Sequence, residues 1–102
     1  MMFRSPSLLK LANGAPCLIQ IPGICNGRNV VACHANWSEY GKGVGLKAHD
    51  CYIAFGCEAC HLAVDNLRMQ QLEKEDRRHY WQRGFERTLL WLFENKHLRV
   101  VS

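Results

Sequence analysis

The chain has 102 residues, 48% of them apolar and 22% charged, with a net charge of +4; this bounds it to one compact domain and excludes a disordered or coiled-coil protein. A membrane-spanning helix is excluded as well, because the longest charge-free run, Leu11 to Gly27, is broken by Pro16, Pro22 and three glycines. Residues 1–50 and 66–102 each carry +3, whereas 51–65 contribute only Glu58 and Asp65. An acidic middle inside a basic surround favours an anionic partner.

Residues 1–16, rich in Ser, Pro and Gly, are expected to form a loose arm, leaving 17–102 as the domain. Lys10 interrupts any signal-type apolar run. A cytoplasmic location is therefore expected, and there cysteine clusters serve metals or catalysis. Cys17 to Cys25 reads as two short extended pieces around a Pro22-Gly23 turn, with a cysteine at each end. Asn29 to His34 contains Val30, Val31 and Ala32 and predicts a strand ending at His34.

Residues 35–49 hold Gly41, Gly43 and Gly45 with Lys42 and Lys47, the pattern of a mobile basic loop. Cys51 to Phe55 predicts the second strand. Gly56 breaks it, and Cys57 starts a helix through Leu62 and Val64. A second helix is expected from about Met69 to Glu94, with a bend at Gly84. Its face of Trp81, Phe85, Leu89, Trp91 and Leu92 belongs to the core. Arg77, Arg83 and Arg87 on that helix are candidates for phosphate contact.

Cys57-Glu-Ala-Cys60 at a turn into a helix places two thiolates where one tetrahedral Zn²⁺ can take both. Cys17 and Cys25 supply the other two ligands if their loop packs against the helix start, which adds metal-binding energy to a small core. Cys33 and Cys51 read as buried side chains facing each other across the strands, with a ligand role for Cys33 as the lesser alternative. His61 and Asp65 stand at i and i+4, so they share a helix face and can grip one cation. His34, at the end of the preceding strand, can approach the same place and take a proton from water.

This order of residues resembles the HNH, or His-Me finger, endonucleases. The likeness runs through Ala32-Cys33-His34, the Gly-rich loop and Cys57 to Asp65. Cys17 to Gly27, with Gly84, Arg87, Thr88 and Trp91, further resembles the phage and prophage YbcO-type nucleases. The resemblance implies an α+β fold: a zinc-clamped ββα-metal, treble-clef-like hairpin and helix with an added C-terminal helix. It implies a DNA-cleaving endonuclease with His34 as general base, and His61 and Asp65 as ligands of a catalytic Mg, Mn or Zn ion. It also implies a structural zinc on Cys17, Cys25, Cys57 and Cys60, and leaves room for a recombination-protein partner.

Two positions depart from the HNH pattern. Cys33 stands where many members have a second metal-binding histidine, and the middle asparagine is not evident, which leaves Asp50 as the nearest polar residue to orient His34. Three other readings compete. A non-catalytic zinc-stabilised nucleic-acid-binding or adaptor module would need the cysteines but not the His34–His61–Asp65 set. A dimerisation module would use Trp81, Trp91 and Phe93. A c-type haem site at Cys57-x-x-Cys60-His61 would need Met69 as axial partner.

Overall fold

The computed structural model describes residues 2–65 and 72–101. Its elements, in chain order, are α1 (Pro6–Lys10), β1 (Val31–His34), a 3₁₀ turn (Ser38–Tyr40), β2 (Ile53–Gly56), α2 (Glu58–Asp65) and α3 (Lys74–Glu94). Among the described residues this is a small α+β fold of three α-helices on a two-stranded antiparallel sheet. None of the described helices is long and apolar enough to cross a membrane.

A two-stranded hairpin alone is marginal in water. Here β2 is buried on both faces. Ile53 and Phe55 face a cluster with Ala12, Ala15 and Leu92, while Ala54 faces a second cluster with Ile19 and Trp81. The outer edge of β2 is satisfied without a third strand. Leu18 N and Ile19 N donate to Phe55 O at 2.8 and 3.3 Å, and Phe55 N donates to Thr88 Oγ1 at 2.9 Å.

The Cys17–Cys25 loop reverses at Pro22-Gly23. Ile24 N bonds Ile21 O at 3.1 Å and Gly23 has φ +77°, which is the type II turn that Pro-Gly favours. That reversal leaves Ile19 and Ile21 fully buried. Ile19 fills a slot between β2 and α3, where a Cβ on Gly56 or Gly84 would stand 2.6 or 2.7 Å from its side chain. Gly84 therefore marks a close approach of helix and loop, and α3 continues through it as one helix.

Several expectations are corrected. The 1–16 segment is no loose arm: it holds α1, buries Ala12 and Ala15, and hydrogen-bonds to residues 47–50. The 35–49 segment holds the 3₁₀ turn and a Gly43–Leu46 bridge. β2 begins at Ile53, so Cys33 pairs with Ala54, and Cys51 is exposed ahead of the strand. On α3, Trp81 is buried, donates Nε1–H to Cys33 O at 3.0 Å and stacks on Phe85, so it is unavailable to a second chain. Leu89 is exposed, because the buried face runs through Trp81, Gly84, Thr88 and Leu92. The expected helix start at Met69 lies outside the described residues.

Gly84→Val should force Ile19 out of its slot and cost about 2 kcal/mol, the usual scale of overpacking. Urea unfolding should show a lower midpoint at an unchanged slope. A midpoint equal to wild type would mean the slot has slack.

Candidate active site and metal centre

Sulfur atoms of Cys17, Cys25, Cys57 and Cys60 all lie within 4.8 Å of one another. At a Zn–S distance of about 2.3 Å, the sulfurs of a tetrahedron stand about 3.8 Å apart. The Cys25 and Cys57 sulfurs are 3.8 Å apart. Backbone amides point at the cluster: Cys57 N to Cys17 Sγ (3.2 Å), Cys60 N to Cys57 Sγ (3.4 Å) and Ile21 N to Cys60 Sγ (3.4 Å).

Burial pushes the Cys57 thiol up, but the amides of Cys60, Asn26 and Gly27 outweigh it and bring it down to about 6. Cys25 and Cys60 move the other way, chiefly by burial and then by the neighbouring thiols. Four crowded sulfurs cannot all shed their protons unless a cation compensates them. The cluster can thus hold a metal ion such as zinc. This convergence of four sulfurs also leaves no pair free for a haem, and Met69, the axial candidate, lies outside the described residues.

On the other side of the hairpin, strand alternation turns Cys33 into the core and His34 outward. His34 lines a cavity of about 420 Å³ with His61, Asp65, Asn36, Lys42 and Lys47. Its Nε2 is 2.7 Å from Oδ1 of Asp50, whose side chain is 5% exposed. An ionised carboxylate can only accept, so Nε2 donates to it, and in the neutral form of the ring the lone pair is then on Nδ1. His61 Nε2 and Asp65 Oδ2 are 2.6 Å apart on one face of α2, and Asn36 donates to the other Asp65 oxygen. The carboxylate raises the proton affinity of His61 against an opposing effect of burial.

Asp50 is held from three sides. Besides His34, it accepts from Ser5 N at 2.7 Å and from the Arg4 guanidinium at 3.2 Å. Burial pushes its carboxyl up, but the His34 and Ser5 hydrogen bonds and the charges of His34 and Arg4 prevail and leave it below the usual carboxylate range.

Lys42 and Lys47 meet His34, His61 and Asp65 at the cavity. A second cavity of about 440 Å³ shares Asn36, Lys42 and Asp65 with the first and adds Lys74 and Arg77. Arg83 and Arg87 are not brought there. Arg83 donates to Ile19 O and Gln20 O at 2.6 and 2.8 Å, and Arg87 to Gln20 Oε1 at 3.1 Å, so both brace the cysteine loop. Cys33, with its sulfur packed towards Gly56, is also absent from the cavity. Asn36, Lys74 and Arg4 were missed in the sequence. Asn36 stands two residues past His34 as an available signal, while Arg4 sits in a segment without pattern.

Fold and site together define a small α+β domain in which a four-sulfur cluster backs a cavity lined by histidines and a carboxylate. A family profile described as "Putative nuclease YbcO" matches residues 6–96, and the chain belongs to that family. Two relatives, "Putative nuclease YbcO" of Escherichia coli (strain K12) and "Putative nuclease ybcO" of Enterobacteria phage 82, are each 37% identical over 59 residues. The match spans 57% of this chain and 62% of each relative, under two thirds of their length. A solved structure titled "Structure of a putative bacteriophage protein from Escherichia coli str. K-12 substr. MG1655" shares the fold. Its TM-score is 0.69 at 24% identity, over 87% of this chain and 99% of that one.

Metal analysis should find one zinc per chain, and a chelator should lower the melting temperature. Cys57→Ser should lose the metal and most of that stabilisation; a variant that keeps both would remove the cluster's role. A second expectation concerns acid. A carboxyl with a lowered folded pKa adds stability that is complete above its unfolded value of about 3.9. That contribution disappears as pH falls through the lower folded value. The stability gap between wild type and Asp50→Asn should therefore narrow below about pH 4, and a gap constant with pH would contradict the assignment.

Proposed function

We propose that the protein is a metal-dependent endonuclease of the HNH type that hydrolyses phosphodiester bonds of DNA, with His34 as general base. The observation that carries this reading is the one cavity onto which β1 presents His34 and α2 presents His61 and Asp65, rimmed by Lys42 and Lys47. The hairpin-then-helix order and the names of the family relatives support it. A cytoplasmic setting, where thiols stay reduced, suits the cysteine cluster.

The Nδ1 lone pair of His34 takes the proton of the attacking water, while Asp50 holds the ring and stabilises the imidazolium that forms. His61 and Asp65 offer nitrogen and carboxylate donors on one helix face, a set that suits a divalent cation such as Mg, Mn or Zn. Such a cation, when bound, supplies positive charge to the phosphate and its leaving oxygen. Lys42 and Lys47 draw the strand to the cavity, and Lys74 and Arg77 extend the basic rim along the second one. Contacts of this kind are made to phosphates and carry little sequence preference. Because Cys33 faces the core, His61 and Asp65 lack the second histidine ligand of the HNH pattern.

In a plasmid-nicking assay with Mg²⁺, Mn²⁺ or Zn²⁺, His34→Ala should lower the rate by about 10²-fold or more, the usual worth of a general base. Zinc content and DNA affinity should stay at the wild-type level. Equal nicking by the variant would remove His34 from the base role. No nicking by wild type with any of these metals would favour the non-catalytic adaptor.

A further inference from the structure

The N-terminal residues Phe3 to Ser5 run beside residues 47–50 and enclose the carboxylate that holds His34. Asp50 N donates to Phe3 O at 3.0 Å, and Phe3 N donates to His49 Nδ1 at 3.0 Å. The Arg4 guanidinium reaches Ala48 O at 2.5 Å and Lys47 O at 2.8 Å. Its NH1 group also donates, at 3.2 Å, to Asp50 Oδ1, the same oxygen that accepts from His34. The other oxygen, Oδ2, accepts from Ser5 N at 2.7 Å. Both carboxylate oxygens are thus fixed from the N-terminal segment.

We infer that Arg4, with the Ser5 amide, is a positioning residue for His34 and acts through Asp50. A carboxylate is a two-fold rotor about its Cβ–Cγ bond, and one partner does not fix its plane. Ser5 pins one oxygen and Arg4 the other, so the direction in which Asp50 presents its acceptor to His34 Nε2 is set by residues 4 and 5. The direction of that hydrogen bond in turn sets the orientation of the ring that lines the cavity. The Arg4 charge adds to the hydrogen bonds from His34 and Ser5 N, which do most to keep this almost fully buried carboxylate ionised and accepting. A mere loop staple would need only the carbonyls of Ala48 and Lys47. The oxygen shared with His34 is what links the segment to the chemistry. This inference rests on the reading of His34 as base.

The test compares wild type, Arg4→Ala, Arg4→Lys and His34→Ala as full chains, with plasmid nicking and nitrogen-15 NMR of the His34 ring. Arg4→Ala should lower kcat about tenfold, less than loss of the base itself, with KM for DNA within about twofold. Arg4→Lys, which keeps a cation beside Asp50, should recover most of kcat. In the NMR arm, the Nε2 proton of His34 should be slow to exchange in wild type and fast in Arg4→Ala at unchanged zinc content. Wild-type kcat in Arg4→Ala beside an inactive His34→Ala overturns the positioning role and leaves the base reading standing. Full activity in His34→Ala overturns the base reading and this inference with it. Should wild type not nick DNA with any of these metals, the base reading fails and this inference fails with it; where wild type is active, an Nε2 proton equally slow in Arg4→Ala also overturns the positioning role.

Discussion

The four sulfurs bring the Cys17–Cys25 loop against the junction of β2 and α2, and one of the two core clusters is built around that meeting. The loop alone has no regular hydrogen-bond ladder, yet it must carry Ile19 and Ile21 into the interior. Cys17 and Cys25 hold its two ends, and Arg83 holds its middle through the carbonyls of Ile19 and Gln20. With the loop in place, the outer edge of β2 gains amide donors and the slot between Gly56 and Gly84 is filled. A two-stranded sheet becomes an interior element because an irregular loop completes it.

The same junction fixes the chemistry. Cys57 and Cys60 set the start of α2, and a helix has one residue every 100° or so. Once Cys60 faces the cluster, His61 and Asp65 stand about 100° and 140° round the helix from it, and they emerge beside β1. On β1 the two-residue alternation does the equivalent work, with Cys33 inward and His34 outward. Two local periodicities, anchored to one cluster and one hairpin register, thus bring a histidine from each element to a single cavity. The N-terminal segment lines the cavity with Leu9, Ala12 and Asn13 and holds His34 through Asp50.

Much of this was legible in the chain. Asn29 to His34 and Cys51 to Phe55 announced the hairpin through β-propensity. The Cys57-x-x-Cys60 spacing announced two sulfurs turned to one point, where the four-sulfur cluster forms, and the i, i+4 spacing of His61 and Asp65 announced a shared face. These readings succeeded because they depend only on neighbours within one element. The loose arm failed for the opposite reason. Arg4, Ser5, Ala12 and Ala15 have no periodicity of their own, and their partners at residues 47–55 and 92 are distant in sequence. The pairing of Cys33 with Cys51 failed on register: β2 starts two residues later than its composition implied, which sets Ala54 opposite Cys33.

The sequence by itself determined the hairpin, α2 and the body of α3, the shared face of His61 and Asp65, and the types of ligand available. Tertiary structure decided which of those faces meet. Arg77, Arg83 and Arg87 lie on one helix, yet Arg77 lines a cavity while Arg83 and Arg87 brace the cysteine loop. Their charges are identical, and the difference arises from which partner surface the helix presses against. Gly84 shows the same division. Its sequence reads as a helix breaker, yet the helix continues through it, and Ile19, 65 positions earlier, takes the space a side chain there would occupy. Local chemistry fixes what a residue can do; the packing of distant segments fixes where it does it, because a contact is set by both partners and only one of them is in the local sequence.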